Sequence, residues 1–395
     1  MGPSSSLART GFFLFAALSS AGLAACNLLT GAEDLEVSGE STGTSTGTTS
    51  GTHTGTGGAG AGNTGTGAGN TGAAGGAGPA CDPPCGQNQY CEASTGTCQC
   101  SPGFLSQNGN CVAAPPGDPS TRTQDEVCTK WKEGHNVTTP NPLVSDGGEC
   151  SAGSLKQGAI NDTLARMNMF RWLAGLGPTT DDATMDAGAQ LCANLESWWD
   201  FSMGGSPHSP PAGVKCFTQT GADFAGMSNI AWGSGHPAQA IDQFMEDNGN
   251  ETTLGHRRWI VNPPLSDVGI GYWEGGGSYG NAECLRVFGS GGNGPNPDWV
   301  AVPNQGFVPV DMAQWTWSFH GNMGGVPNAQ ISVLGVDDNS PLDVKVMNLS
   351  QGYGEEAISF IPQGWQPQAG KTYRVTVSGL ATGDVVYDVK PVACN

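Results

Sequence analysis

The stretch "TLGHRRWIVNPP" places His256 between Gly255 and two arginines, in a chain with 35 acidic and only 15 basic residues. A second histidine, His208, lies in "PHSPP". A neutral imidazole keeps one nitrogen lone pair near pH 7. Two of them facing one hollow can therefore take up protons or bind a divalent ion such as Zn²⁺. Around His256, Arg257 and Arg258 are expected to be partly buried against carboxylates, and Trp259 to enter the core. Asn262-Pro263 should end a short helix, because the residue before a proline is pushed out of the helical region.

Rival chemistries lack their residues. "GMSNI" has no final glycine for a G-x-S-x-G elbow, and no H-E-x-x-H occurs. A Ser228–His256–Asp247 triad can be drawn from residue types, but three such types meet in one cleft often by chance. The glycine-rich stretches lack the strand-to-helix setting of a phosphate loop. Of the other histidines, His53 stands alone in a low-complexity run and His135 falls in a loop. His236 and His320 read as capping or surface residues.

A formal charge of −20 argues against nucleic acid and anionic membrane surfaces as partners, since phosphate binding needs clustered Lys and Arg. At the N-terminus, Arg9 precedes the apolar run "GFFLFAALSSAGLAA". A basic start, a short apolar stretch and small residues mark residues 1–25 as a signal peptide. "LAAC" resembles a bacterial lipobox, which implies a lipid on Cys26; an ordinary signal cleaved near Ala25 is the plainer alternative. Asn27 then fits sorting to the outer membrane. The lipid would be the anchor of an extracytoplasmic protein on the bacterial outer membrane or cell surface, two or more acyl chains giving stable attachment. Removing Cys26 from the 13 cysteines leaves an even number, as disulfides in an oxidising compartment require.

Residues 26–80 are mostly Gly, Thr, Ser and Ala, too poor in apolar side chains to repay ordering, and read as a flexible tether. Residues 81–111 carry six cysteines spaced Cys81-x3-Cys85-x5-Cys91-x6-Cys98-x-Cys100-x10-Cys111, with Gly103-Phe104 after the fifth. This resembles an EGF-like module, which implies pairs 81–91, 85–98 and 100–111. So short a piece needs disulfides in place of a core. "GGAGPA" before Cys81 lacks the acids of calcium-binding versions, so the module reads as a rigid spacer.

Residues 112–154 read as a linker and lead-in loop, stapled to the next domain by Cys128 and Cys150. Helical spacing follows. "AINDTLARMNMFRWLAGLGP" aligns Ile160, Leu164 and Met167 and stops at Gly177-Pro178. In "DDATMDAGAQLCANLESWW", Asp181 or Asp182 caps a helix that turns Met185, Ala189, Cys192 and Trp199 inward. A third helix starts at Pro237 and buries Ile241, Phe244 and Met245. With the strand-like pieces "SNIAW", "DVGIGYW" and "ECLRVFG", residues 155–292 form an α+β layered domain. From 293 to 395 the pattern alternates between turns: Tyr373, Val375 and Val377 point one way, Arg374 and Thr376 the other. That is a small antiparallel β-sandwich. Trp315, Trp317 and Phe319 belong to its core or its seam with the preceding domain. Cys394 is guessed to pair with Cys284; the partners of Cys128, Cys150, Cys192 and Cys216 stay open.

The ordered set "ARMNMFRWLAGLGP", "AGAQLCANL", "PHSPP", "MSNIAWG" and "LGHRRWIVNPPLSDVGIGY" resembles the CAP superfamily (cysteine-rich secretory proteins, antigen 5 and pathogenesis-related 1) in its bacterial SCP-like branch, over about residues 155–290. The resemblance implies an α-β-α sandwich with a central cleft holding two histidines and two acids. By position these fall on His208 and His256, with the first acid replaced by Ser228 and the second at Asp247, Glu246 being its neighbour. With one acid missing, Zn²⁺ binding at His208, His256 and Asp247 is expected to be weak or absent. Three functions follow. The first is a surface lipoprotein whose CAP domain binds a protein, lipid or cell-wall ligand. The second is a hydrolase of peptide or cell-wall material working through the two histidines. The third, lipid binding in an apolar groove, rests on the resemblance alone.

Overall fold

The computed structural model describes residues 81–394, apart from 93, 146 and 289–295. The signal peptide, Cys26 and the tether lie outside the described residues. Among the described residues no helix is long and apolar enough to cross a membrane.

Residues 81–113 form two hairpins, Gln89–Glu92 with Thr97–Cys100 and Phe104–Gln107 with Asn110–Ala113. Disulfides join Cys81–Cys91, Cys85–Cys98 and Cys100–Cys111. This small unit rests on the larger body, because Asn168 donates from Nδ2 to the Pro102 carbonyl at 2.9 Å.

The expected lead-in loop contains a helix, α1 (Gln124–His135). Thr123 and Glu126 form a reciprocal capping box at its start, which satisfies backbone donors that would otherwise be orphaned. His135, expected in a loop, is its last residue. Cys128 on α1 pairs with Cys394, so Cys394 does not pair with Cys284. The latter bonds Cys192, and Cys150 bonds Cys216.

The central domain is layered. Helices α2 (Gln157–Leu173), α3 (Ala183–Glu196), α4 (Gln219–Ala225), α5 (Pro237–Glu246) and α6 (Gly255–Ile260) surround four strands. The strands are β1 (Thr180–Asp181), β2 (Ser228–Trp232), β3 (Asp267–Trp273) and β4 (Ala282–Arg286), in the sheet order β1-β3-β4-β2. Alternation within the strands separates the layers. Ile230, Trp273 and Cys284 pack with Ala189, Cys192 and Ala193 of α3, while Ala231, Ile270 and Leu285 pack with α2 and α5. Both sheet faces are thus covered, which explains the nearly continuous burial of β3. Gly269 and Gly271 allow that closeness. A Cβ on Gly271 would lie 2.1 Å from the Ala189 carbonyl, and one on Gly269 would lie 2.6 Å from that of Met185. Asp182 caps α3 through two backbone amides. Helix α2 ends at Leu173, ahead of the expected Gly177-Pro178, where Gly175 takes a left-handed turn at φ +80°.

The last hundred residues form two packed sheets. One contains β5 (Trp299–Val302), β7 (Trp317–Gly321), β11 (Ala357–Pro362) and β10 (Val344–Asn348), in that order. The other runs β6 (Gly306–Pro309), β13 (Val385–Val392), β12 (Tyr373–Ser378), β8 (Gln330–Gly335), β9 (Ser340–Leu342). It is not purely antiparallel, since β6 and β13 run parallel. Tyr373, Val375 and Val377 face the core with Trp317 and Phe319. Trp315 packs instead against the core of the central domain.

That central core crosses the seam. Val300, Val302, Met312 and Val392 belong to the same apolar cluster as α2, α5 and α6. The two units expected from the sequence are therefore fused through shared packing.

Candidate functional site

His256 is the second residue of α6. Its Nδ1 lies 2.8 Å from Oδ1 of Asp247, whose side chain is wholly buried. Asp247 caps α5 in the left-handed conformation (φ 57°), and Leu254 before α6 is left-handed as well (φ 46°). These two kinks fold the intervening turn so that a carboxylate meets an imidazole nine residues later. A carboxylate accepts, so Nδ1 carries the proton and Nε2 holds the lone pair. The imidazole side chain is 11% exposed.

The acid has two further donors. Its Oδ1 also accepts from Asn250 Nδ2 at 3.2 Å, and its Oδ2 from the Arg257 amide at 3.3 Å. Thr253 donates in turn to Asn250 Oδ1 at 2.5 Å. Asn229 of β2 donates to the His256 carbonyl at 2.9 Å. Asn229, Asn250 and Thr253 were not candidates from the sequence. No pattern in "DNGNETTLGH" marks Asn250 and Thr253, because their roles depend on the two left-handed residues; Asn229 lies in "MSNIAWG", where Ser228 alone reads as a candidate.

His208 is half-buried, and its Nδ1 lies 2.9 Å from the Ala225 carbonyl at the end of α4. That carbonyl also fixes the proton on Nδ1 and the lone pair on Nε2. Both imidazoles are thus braced from one short segment, His208 at Ala225 and the His256 backbone at Asn229.

Ser228 is buried and donates from its hydroxyl to the Phe224 carbonyl at 2.7 Å. It does not bond His256, so the Ser228–His256–Asp247 triad is not assembled. Asp247, expected as a ligand, is placed as the hydrogen-bond partner of Nδ1. A carboxylate on Nδ1 lies on the far side of the ring from an ion on Nε2, and here it acts through the imidazole as an orienting partner. Among the described residues no set of two histidines and an acid has its ligand atoms within 4.8 Å of one another. The donor set therefore does not fit a resident three-ligand zinc. Glu246 contributes its backbone carbonyl to Arg257.

The arginines differ from expectation. Arg257 donates to the carbonyls of Met245 (2.6 Å), Glu246 (3.0 Å) and Thr316 (2.5 Å), and to Ser318 Oγ. Arg258 donates to the carbonyls of Ser350 (2.6 Å) and Glu355 (2.8 Å). Their partners are mainly backbone carbonyls, many from the β-sandwich, and not carboxylates. Converging carbonyl dipoles hold a planar guanidinium without the cost of burying an anion, although Nε of Arg258 has no hydrogen-bond partner among the described residues. Burial lowers each guanidinium to about 10, which leaves it charged at neutral pH.

His236 caps α5, its Nδ1 accepting from the Ala238 amide. His320 is not on the surface: it is buried beside the two arginines, and burial together with their charge holds it well below the ordinary imidazole range. In the upstream "ARMNMFRW", Arg171 is fully buried and donates to the carbonyls of Gly177, Ile260, Asn262 and Leu265, locking α2 to the end of α6.

No curated protein matches the chain. Residues 164–288, which include His208, Ser228, Asp247 and His256, match the model of the cysteine-rich secretory protein family, CAP. A CAP domain over this segment is what the match supports, and with it an extracellular ligand- or partner-binding role in general.

Proposed function

We propose that the protein is an extracytoplasmic lipoprotein, anchored through Cys26 to the bacterial outer membrane or cell surface, that displays its CAP domain to bind a protein, lipid or cell-wall ligand. Residues 81–111 act as an EGF-like spacer between tether and binding domain. The observation that carries the binding reading is the commitment of the cleft's polar groups. Asp247 has three donors and the Ser228 hydroxyl a carbonyl, so neither serves as a second ligand or nucleophile beside the histidines. Divalent metal binding through His208 and His256 is then weak. All twelve cysteines after Cys26 are paired, which supports an oxidising compartment.

One observation favours a second reading. A buried carboxylate on Nδ1 of an imidazole is the arrangement that steadies a general base, so His256 is equipped to activate water in a hydrolase. The mature chain, assayed against peptides and cell-wall fragments, separates the two. No turnover supports the binding module, whereas turnover abolished by His256→Ala replaces it with the hydrolase. Titration with Zn²⁺ adds the metal test: weak binding lost in the His208→Ala/His256→Ala variant is expected, and equal binding by both proteins removes the histidines from it. For the anchor, Cys26→Ala should move the protein from the membrane fraction to the soluble one.

A further inference from the structure

The β-sandwich carries an open groove of about 620 Å³ away from the histidines. It lies where the end of β11 and the segment after it meet the short helix Val310–Ala313, and Gln314, Trp365, Gln366 and Gln368 line it. Ile361 and Pro367 complete the apolar part. None of the lining residues is charged, although the chain carries 50 charged side chains.

Trp365 is held in a fixed pose. Its Nε1 donates to the Asp343 carbonyl at 2.7 Å, and its ring stacks on Tyr373 with centroids 5.0 Å apart and planes at 26°. Trp317 meets it edge-on at 6.2 Å. Tyr373 is fixed in turn, its hydroxyl accepting from the Gln368 amide at 3.0 Å. Fixed between Tyr373 and Trp317, the half-buried tryptophan lines the groove as a preorganised aromatic wall among three exposed glutamines.

We propose that this groove binds a neutral glycan. A pyranose ring has an apolar face of weakly positive C–H groups, which suits the negative face of an indole. Its hydroxyls both donate and accept, as side-chain amides do. An anionic or cationic ligand would call for a countercharge, and the lining supplies none. A groove with a few placed polar groups beside an aromatic surface is the usual form of a small-ligand site. The β-sandwich is then a second binding unit fused to the CAP domain. The site uses none of the cleft residues, so it stands or falls separately from the proposed function.

The test is calorimetric titration of the mature chain with neutral cello-, manno- and N-acetylchito-oligosaccharides, alongside a charged uronic-acid oligosaccharide and a proline-rich peptide. Binding of at least one neutral glycan is expected, weakened by about tenfold or more in Trp365→Ala. Because Trp365 also packs on Tyr373, the exposed pair Gln314→Ala/Gln366→Ala is measured too, and it should weaken binding while leaving thermal unfolding unchanged. His256→Ala should bind the glycan as the parent does. The proposal is overturned if no neutral glycan binds, if the charged oligosaccharide or the peptide binds instead, or if neither groove variant alters affinity.

Discussion

Asp247 and His256 form a buried pair in which every hydrogen bond to the carboxylate comes from a donor: His256 Nδ1, Asn250 Nδ2 and the Arg257 amide. This pair, more than either residue alone, fixes which nitrogen of His256 carries the proton. It also places an acid of the family pattern behind the imidazole, where it orients the ring and does not ligate.

Asp247→Asn tests that role. The amide keeps the shape and tolerates the left-handed backbone, but it has one acceptor where two are needed, so its NH₂ faces a donor. A loss of about 2 kcal/mol in chemical unfolding is expected, with Asp247→Ala losing more because all three donors are orphaned. In NMR spectra, the Nδ1-protonated tautomer of His256 should give way to a mixture. An unchanged tautomer in Asp247→Asn would remove the acid from its orienting role.

Two other acids set a pH dependence. Glu196 ends α3 and Glu283 lies in β4; both side chains are fully buried, with no hydrogen-bond partner among the described residues. Burial holds each well above the ordinary glutamate range. The native state therefore keeps protons that the unfolded chain has lost, and stability falls as pH rises from the ordinary glutamate value toward the raised one. His320 acts in the opposite sense. Its native form stays neutral while the unfolded imidazole takes a proton below its ordinary value, so its contribution is lost as pH falls. Glu283→Gln and Glu196→Gln should each raise Tm by several degrees at about pH 8 and change it little at about pH 4, near the unfolded glutamate value. Equal shifts at both pH values would show that ionisation is not the cause.

Much of this architecture was readable because it depends on local periodicity. Pro237 at the start of α5 with Ile241 and Phe244 inward, and the alternation in "TYRVTVS", follow from helical and strand spacing alone. Gly269 and Gly271 of "DVGIGY" mark where this strand meets the close backbone of α3. Helix α1 was hidden although Thr123-x-x-Glu126 marks its start, because Val127 and Gly134 are its only buried residues and the apolar stripe is faint. The long-range partners were not readable. Disulfide choice among Cys128, Cys192, Cys284 and Cys394, and the reach of Arg257 into the β-sandwich, depend on which surfaces meet in three dimensions. Likewise, the family pattern aligned Asp247 with a cleft acid, but which ring nitrogen it meets depends on the kinks at Asp247 and Leu254.

Arg257 links the CAP domain to the β-sandwich, so its replacement should be felt on both sides. Lysine has a single nitrogen in place of the planar fork and cannot reach the carbonyls of Met245, Glu246 and Thr316 together. Arg257→Lys should cost about 3 kcal/mol, measured by denaturant unfolding. Hydrogen exchange should increase in α6 and in β7, the strand of the other unit that the guanidinium meets through Ser318. Faster exchange confined to the CAP domain would mean that the seam is held by the shared apolar core alone.

The disulfide between Cys128 and Cys394 joins α1 to the chain end across 266 residues. Closing so long a loop removes much of the freedom of the unfolded chain, although Cys150–Cys216 and Cys192–Cys284 already shorten the effective loop. Cys128→Ala/Cys394→Ala should therefore lose about 3 kcal/mol in equilibrium unfolding, less than an uninterrupted loop of that length would give. Since Val392 sits in the core shared with the CAP domain, the final strand should stay in place at low denaturant and detach only in the main transition. A separate early transition in the variant, with exchange confined to β13 and α1, would show that the bond, and not the packing, holds the two units together.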